Sequence, residues 1–99
     1  MKIYIAGKIT GNNKAAEQFE KAEVKLRLEG HETINPFEIG NQCLPALTHE
    51  EYMHISFALI DVADAAYFLS NWRESPGACM EYGYTVAKRK AVYFEEEAK

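Results

Sequence analysis

Four short apolar runs alternate with three stretches of helical periodicity, and that alternation leaves the chain very few folds to choose from. Lys2 to Ala6 (KIYIA) is apolar and β-branched and stops at Gly7, the mark of a buried strand. Gly7 to Asn13 (GKITGNN) reads as a loop. From Lys14 to Leu28 the spacing is helical, with Ala15, Phe19, Ala22, Val24 and Leu26 turned inward and Gly30 as the stop. His31 to Ile34 is a second strand, closed by Asn35-Pro36, and residues 37 to 48 read as a loop with room for a helical turn. Thr48 and Glu51 form a capping box that opens a helix running to about Val62 and burying Tyr52, Met53, Ile55 and Leu59. Asp64 to Leu69 is a third strand and Ser70 to Glu74 a loop. Ser75-Pro76 opens a helix to Arg89, and Ala91 to Phe94 is a fourth strand before an acidic, frayed end at Glu95-Glu96-Glu97.

Strand-helix alternation with right-handed crossovers gives a parallel sheet covered on both faces. The expected fold is α/β, a small flavodoxin-like or Rossmann-like three-layer sandwich with four strands in the order 2-1-3-4. Residues 1–99 make one domain, too short for two cores. In such sheets ligands sit at the carboxyl ends of the strands, at the switch in strand order. That crevice brings together the Gly7–Gly11 loop, the Ser70–Glu74 loop and the start of the last helix.

The bulk numbers exclude more than they identify. An apolar fraction of 47% with 26% charged residues is that of a globular chain, and a net charge of −4 speaks against a nucleic-acid polymer as partner. No signal peptide and no membrane-length apolar run is visible, so the expectation is a cytoplasmic protein with no membrane contact. Cys43 and Cys79 then read as reduced thiols. Neither they nor His31, His49 and His54 show a metal-ligand spacing, and neither metal nor cofactor is expected.

Within the crevice, Gly7, Lys8, Thr10 and Gly11 could offer backbone N–H groups, a charge and a hydroxyl to an anion, or could simply make a tight turn. Ser75 caps its helix and leaves free N–H groups beyond it. Cys79, Met80, Gly83, Val86 and Ala87 form the apolar stripe of that helix, and Glu81 points away from it. Pattern alone reads Glu81 as a solvated glutamate, although a position away from the sheet near this helix start also faces the crevice.

Tyr4-Ile5-Ala6-Gly7, Asp64-Ala65-Ala66-Tyr67 and Ser75-Pro76-Gly77-Ala78-Cys79-Met80-Glu81 together resemble the nucleoside 2-deoxyribosyltransferase superfamily. Asn71-Trp72-Arg73-Glu74-Ser75-Pro76-Gly77-Ala78 followed by Glu81 resembles its DUF4406 branch. The resemblance implies that Glu81 attacks the anomeric carbon of a 2-deoxynucleoside and displaces the base. A carboxylate suits an oxocarbenium-like transition state because a covalent sugar ester splits one hard step into two. It also implies that Tyr4 and Ser75 position the substrate. Ser75 stands where the transferases commonly carry an aspartate, six residues before the glutamate. A serine there, with Gly7, Lys8, Thr10, Gly11 and Gly77, is similar to the deoxynucleoside 5′-monophosphate N-glycosidases. One departure is Ser56, at the position of the superfamily's usual catalytic aspartate, eight residues before Asp64.

The resulting expectation is an N-glycosidase or deoxyribosyltransferase acting on a small nucleoside or nucleotide, assembled as a homodimer or larger homo-oligomer. The alternative is a nucleotide-binding module that has lost the chemistry at position 56; a purely structural or interaction domain is a third reading.

Overall fold

A strand that is apolar on both faces has to be central, and the computed structural model, which describes residues 1–43 and 47–95, places β1 (Lys2–Ala6) inside the sheet. The remaining elements are α1 (Ala15–Leu28), β2 (Glu32–Ile34), α2 (Pro36–Cys43), α3 (His49–Val62), β3 (Ala65–Phe68), α4 (Pro76–Ala87) and β4 (Ala91–Phe94). All strand pairs are parallel and the order is β2-β1-β3-β4, the small flavodoxin-like arrangement expected from the alternation. In β1–β3 the register pairs Ile3 with Ala65 and Ala6 with Phe68.

Strand parity then sorts the core into two layers. Ile3 and Ile5, with Tyr67 and Leu69, pack against Ala15, Phe19, Ala22 and Leu26 of α1. Tyr4 and Ala6, with Ala66 and Phe68, pack on the opposite face with Ile60 and Ala63. The same parity carries the Tyr4 side chain into the layer of α3 and α4.

Local signals set most of the boundaries. The Thr48–Glu51 capping box is formed in both directions. Gly30, at φ +92°, ends α1 in the left-handed conformation that a residue without Cβ adopts freely. Arg89, at φ +58°, stops α4 at Ala87, short of the expected Arg89. Asp64 stays outside β3, where its carboxylate accepts the Lys2 N–H at 2.8 Å.

Other expectations are corrected. The stretch read as a loop contains an eight-residue helix, α2. Asn35 Oδ1 accepts the Phe37 N–H at 3.1 Å and Pro36 takes the first helical position, so the pair that closes β2 also opens a helix. Phe37 then meets Phe19 edge-on, centroids 6.1 Å apart. Pro45, in the same stretch, lies outside the described residues. On α1, Val24 is exposed and Glu23 is buried instead, its carboxylate held by Arg27 at 3.2 Å and Thr33 at 2.9 Å. The deepest line of α3 is Met53, Ser56 and Ile60, with Tyr52, Ile55 and Leu59 half-buried beside it. Glu95 is not frayed: its N–H donates to Phe68 O at 2.8 Å and its carboxylate accepts from Ser70 N at 2.9 Å. Glu96 and Glu97 lie outside the described residues. Among the described residues no helix is long and apolar enough to cross a membrane.

Candidate active site

Ser75 and Pro76 fix where α4 begins: Ser75 Oγ accepts the Ala78 N–H at 3.1 Å. From that start, the residues that face the sheet are Ala78, Glu81 and Thr85. The apolar stripe expected to be inward is on the outside. Cys79, Gly83 and Ala87 are exposed, and Met80 and Val86 remain 48% and 49% accessible. Glu81 is 5% accessible. The inner face tolerates polar residues because each has a partner: Thr85 Oγ1 donates to the Glu81 carbonyl at 2.7 Å, and the Tyr4 hydroxyl donates to Glu81 Oε2. The expectation that Glu81 points away from the packed face is therefore overturned.

Around that carboxylate stand three hydroxyls, from Tyr4 on β1 and from Tyr52 and Ser56 one turn apart on α3. Burial pushes the Glu81 carboxyl from its ordinary 4.5 up to about 7, opposed by the Tyr4 and Ser56 hydroxyls, which favour the charged form. Burial, followed by the adjacent Glu81 charge, lifts Tyr52 to about 12 and Tyr4 well above the usual phenol range. Both phenols therefore stay neutral at any physiological pH. Ser56 biases all three neighbours toward ionisation, yet its Oγ completes no well-formed hydrogen bond.

Glu81 forms part of the wall of a cleft of about 940 Å³ at the carboxyl ends of the strands. Gly7, Lys8 and Thr10 of the loop after β1, and Ser75 and Gly77 of α4, share that wall, together with His49, Tyr52 and Met53 of α3. Tyr4 and Ser56 are almost fully buried and stand behind Glu81, outside the lining. Gly11, at φ +72°, also stands outside it and makes the turn into α1. Gly7 serves packing: a Cβ there would lie 2.6 Å from Leu69 Cδ1 and 3.0 Å from Leu69 Cβ. Lys8 Nζ pairs with Glu74 at 3.6 Å, and its N–H donates to Asn71 Oδ1 at 3.1 Å. Asn71 and Asn12 both donate to Gln18 Oε1, at 3.1 and 2.8 Å, tying both crevice loops to α1.

Tyr52, His49 and Gln18 are not among the residues that the sequence pattern singles out for the site. For Tyr52 a signal existed: it precedes Ser56 by four residues, so the two share a helix face. Cys79 is a free thiol, and the Cys43 side chain falls outside those described. Among the described residues no three His, Cys, Asp or Glu side chains are grouped to hold a metal ion.

Residues 1–94 match the family described as Domain of unknown function (DUF4406). The chain belongs to that family. Among curated proteins none matches it. The DUF4406 fold superposes on the 2-deoxyribosyltransferase of the psychrotolerant bacterium Bacillus psychrosaccharolyticus with a TM-score of 0.73 and 26% identity, over 100% of this chain and 77% of that one. It superposes on the 2-deoxyribosyltransferase of Leishmania mexicana with a TM-score of 0.70 and 16% identity, over 94% of this chain and 62% of that one, a likeness of fold. This DUF4406 chain is thus a member of the nucleoside 2-deoxyribosyltransferase-like superfamily.

Proposed function

We propose that the chain breaks the N-glycosidic bond of a 2-deoxynucleoside 5′-monophosphate, or transfers its deoxyribosyl group, with Glu81 as nucleophile. The observation that carries this reading is a buried carboxylate, Glu81, 5% accessible at the wall of a cleft and held by a phenol from the central strand. Tyr4 donates to Oε2 and leaves Oε1 for attack. The Glu81 oxygen bonds to C1′ as the C1′–N bond breaks and its electron pair departs with the base. Water or a second base then attacks C1′ and frees the carboxylate.

The 5′-phosphate is assigned to Lys8, Thr10, the Ser75 hydroxyl and the Gly77 backbone, which line the same cleft. Ser75 Oγ accepts from Ala78 and keeps its own proton to donate. Releasing Lys8 from Glu74 costs little, because an exposed ion pair is worth about 0–1 kcal/mol. A homodimer belongs to the same proposal, since Met80 and Val86 present exposed apolar side chains on α4; a monomer by light scattering at high concentration argues against it.

The test is incubation with a panel of deoxynucleosides and their 5′-monophosphates, following free base. Glu81→Ala is expected to abolish release, and release that persists unchanged in that variant sinks the assignment. The serine at position 56 favours one competing reading, a module that binds nucleotide without turnover. Calorimetric binding with no base released by the wild type would select it.

A further inference from the structure

Resting on the glycosidic reading above, we infer that Tyr52 is the hydrogen-bond donor to the departing base, and that Ser56 positions its hydroxyl. Among the described residues, the buried side-chain oxygens and nitrogens that complete no well-formed hydrogen bond are Tyr52 Oη and Ser56 Oγ, although Ser56 stands close enough to bias both Tyr52 and Glu81. Leaving a buried hydroxyl unsatisfied costs about 1–3 kcal/mol, and a Phe and an Ala would fill the same space without that cost. Two such groups on one face of α3, both beside Glu81, are what a site keeps ready for a ligand atom.

The positions divide the roles. Tyr52 shares the cleft wall with Glu81, whereas Ser56 is 1% accessible and stands behind it. Of the two, only Tyr52 belongs to the cleft wall, so its hydroxyl, buried until a ligand enters, is the one placed to meet a substrate. The groups suited to a phosphate lie on the loop after β1 and at Ser75, and Tyr52 stands beside Glu81 itself, so the base, the other substituent of C1′, is assigned to Tyr52.

The step balances without a metal or a second carboxylate. Glu81 Oε1 bonds to C1′, the C1′–N bond breaks, and the electron pair spreads over the base onto a ring nitrogen or carbonyl oxygen. That atom accepts the Tyr52 O–H. A neutral phenol titrating near 12 lends its hydrogen bond and keeps its proton, and the base takes a proton from water on release.

The experiment compares wild type, Tyr52→Phe and Ser56→Ala on two substrates. One is the best natural substrate of the panel; the other is the same sugar carrying 4-nitrophenol, a leaving group that departs without help. Tyr52→Phe is expected to lose about 10²–10³ in kcat on the natural substrate and under about tenfold on the activated one. Ser56→Ala is expected to show a smaller loss with the same preference, the mark of a positioning residue. The urea midpoint of Tyr52→Phe should fall little if at all, because the hydroxyl completes no well-formed hydrogen bond. Equal losses on both substrates overturn this inference and leave the glycosidic reading intact. A wild type that releases neither leaving group overturns the glycosidic reading, and this inference falls with it.

Discussion

Replacing Glu81 by Gln should stabilise this protein strongly at pH 8 and very little at pH 5. The carboxyl is 5% accessible, and burial lifts it from 4.5 to about 7. Glutamine matches the shape, carries no charge, and its amide oxygen still accepts from the Tyr4 hydroxyl. Because the folded value lies above the unfolded one, the contribution of Glu81 to stability is full below pH 4.5. It declines as the unfolded chain ionises and levels off once pH passes about 7. At 1.36 kcal/mol for each tenfold shift, the total decline is about 3 kcal/mol. At pH 5 it amounts to less than about 1 kcal/mol by the same linkage. For a domain of this size the pH 8 difference corresponds to roughly 12–24 °C in Tm. Urea unfolding of both proteins at pH 5, 6, 7 and 8 measures it directly. A difference that stays constant across that range, or a Gln variant less stable at pH 8, refutes the reasoning. The gain should accompany loss of base release, as for a buried charge retained for chemistry at a cost in stability.

The same ionisation should appear in catalysis: kcat/KM of the wild type rises with pH through about 7, and in Tyr4→Phe the rise moves to higher pH. Removing the Tyr4 hydrogen bond withdraws support from the ionised carboxyl, so a rise that stays put or moves down contradicts the proposed pairing. Gly7→Ala should cost about 1–3 kcal/mol by overpacking, since the new Cβ meets Leu69, itself 1% accessible and unable to swing aside. The cost should shrink in a Leu69→Ala background, a double-mutant cycle readable from urea midpoints.

Apart from α2, the order of elements was legible because most boundaries are written locally. Thr48 with Glu51, Ser75 with Pro76, and Gly30 each act within a few residues of themselves. The inward face of α4 was not legible, because local apolarity points the wrong way. Met80 and Val86 are the more hydrophobic choices, yet the buried line is Ala78, Glu81 and Thr85. What reverses the ranking is the Tyr4 phenol, 77 residues distant in sequence, which gives the carboxylate a partner that no window around position 81 contains. The likeness of the Ser75–Glu81 spacing to a family pointed to Glu81 where periodicity did not. α2 was missed for a related reason: Asn35-Pro36 reads as a strand stop, and only its side-chain cap on Phe37 shows that it also starts a helix.

Ser56 acquires a different meaning once its neighbours are known. An aspartate there, as the resemblance to the superfamily would imply, would make two buried carboxyls in one pocket with Glu81. Such a pair titrates apart, one member holding a proton to give to the base while the other attacks. With serine, Glu81 is the one carboxyl among the groups gathered there, and its elevated value of about 7 leaves it partly protonated near neutrality. A group that must be ionised to attack cannot also supply the proton. Under the proposed chemistry, help for the leaving base therefore falls to neutral donors, and the hydroxyl of that kind on the cleft wall beside Glu81 is Tyr52. Under that proposal the serine at position 56 and the phenol one turn before it are two halves of one arrangement: a site that works with Glu81 as its one reacting carboxylate, favours the upper side of neutral pH, and discriminates among bases by how well each leaves as a hydrogen-bonded anion.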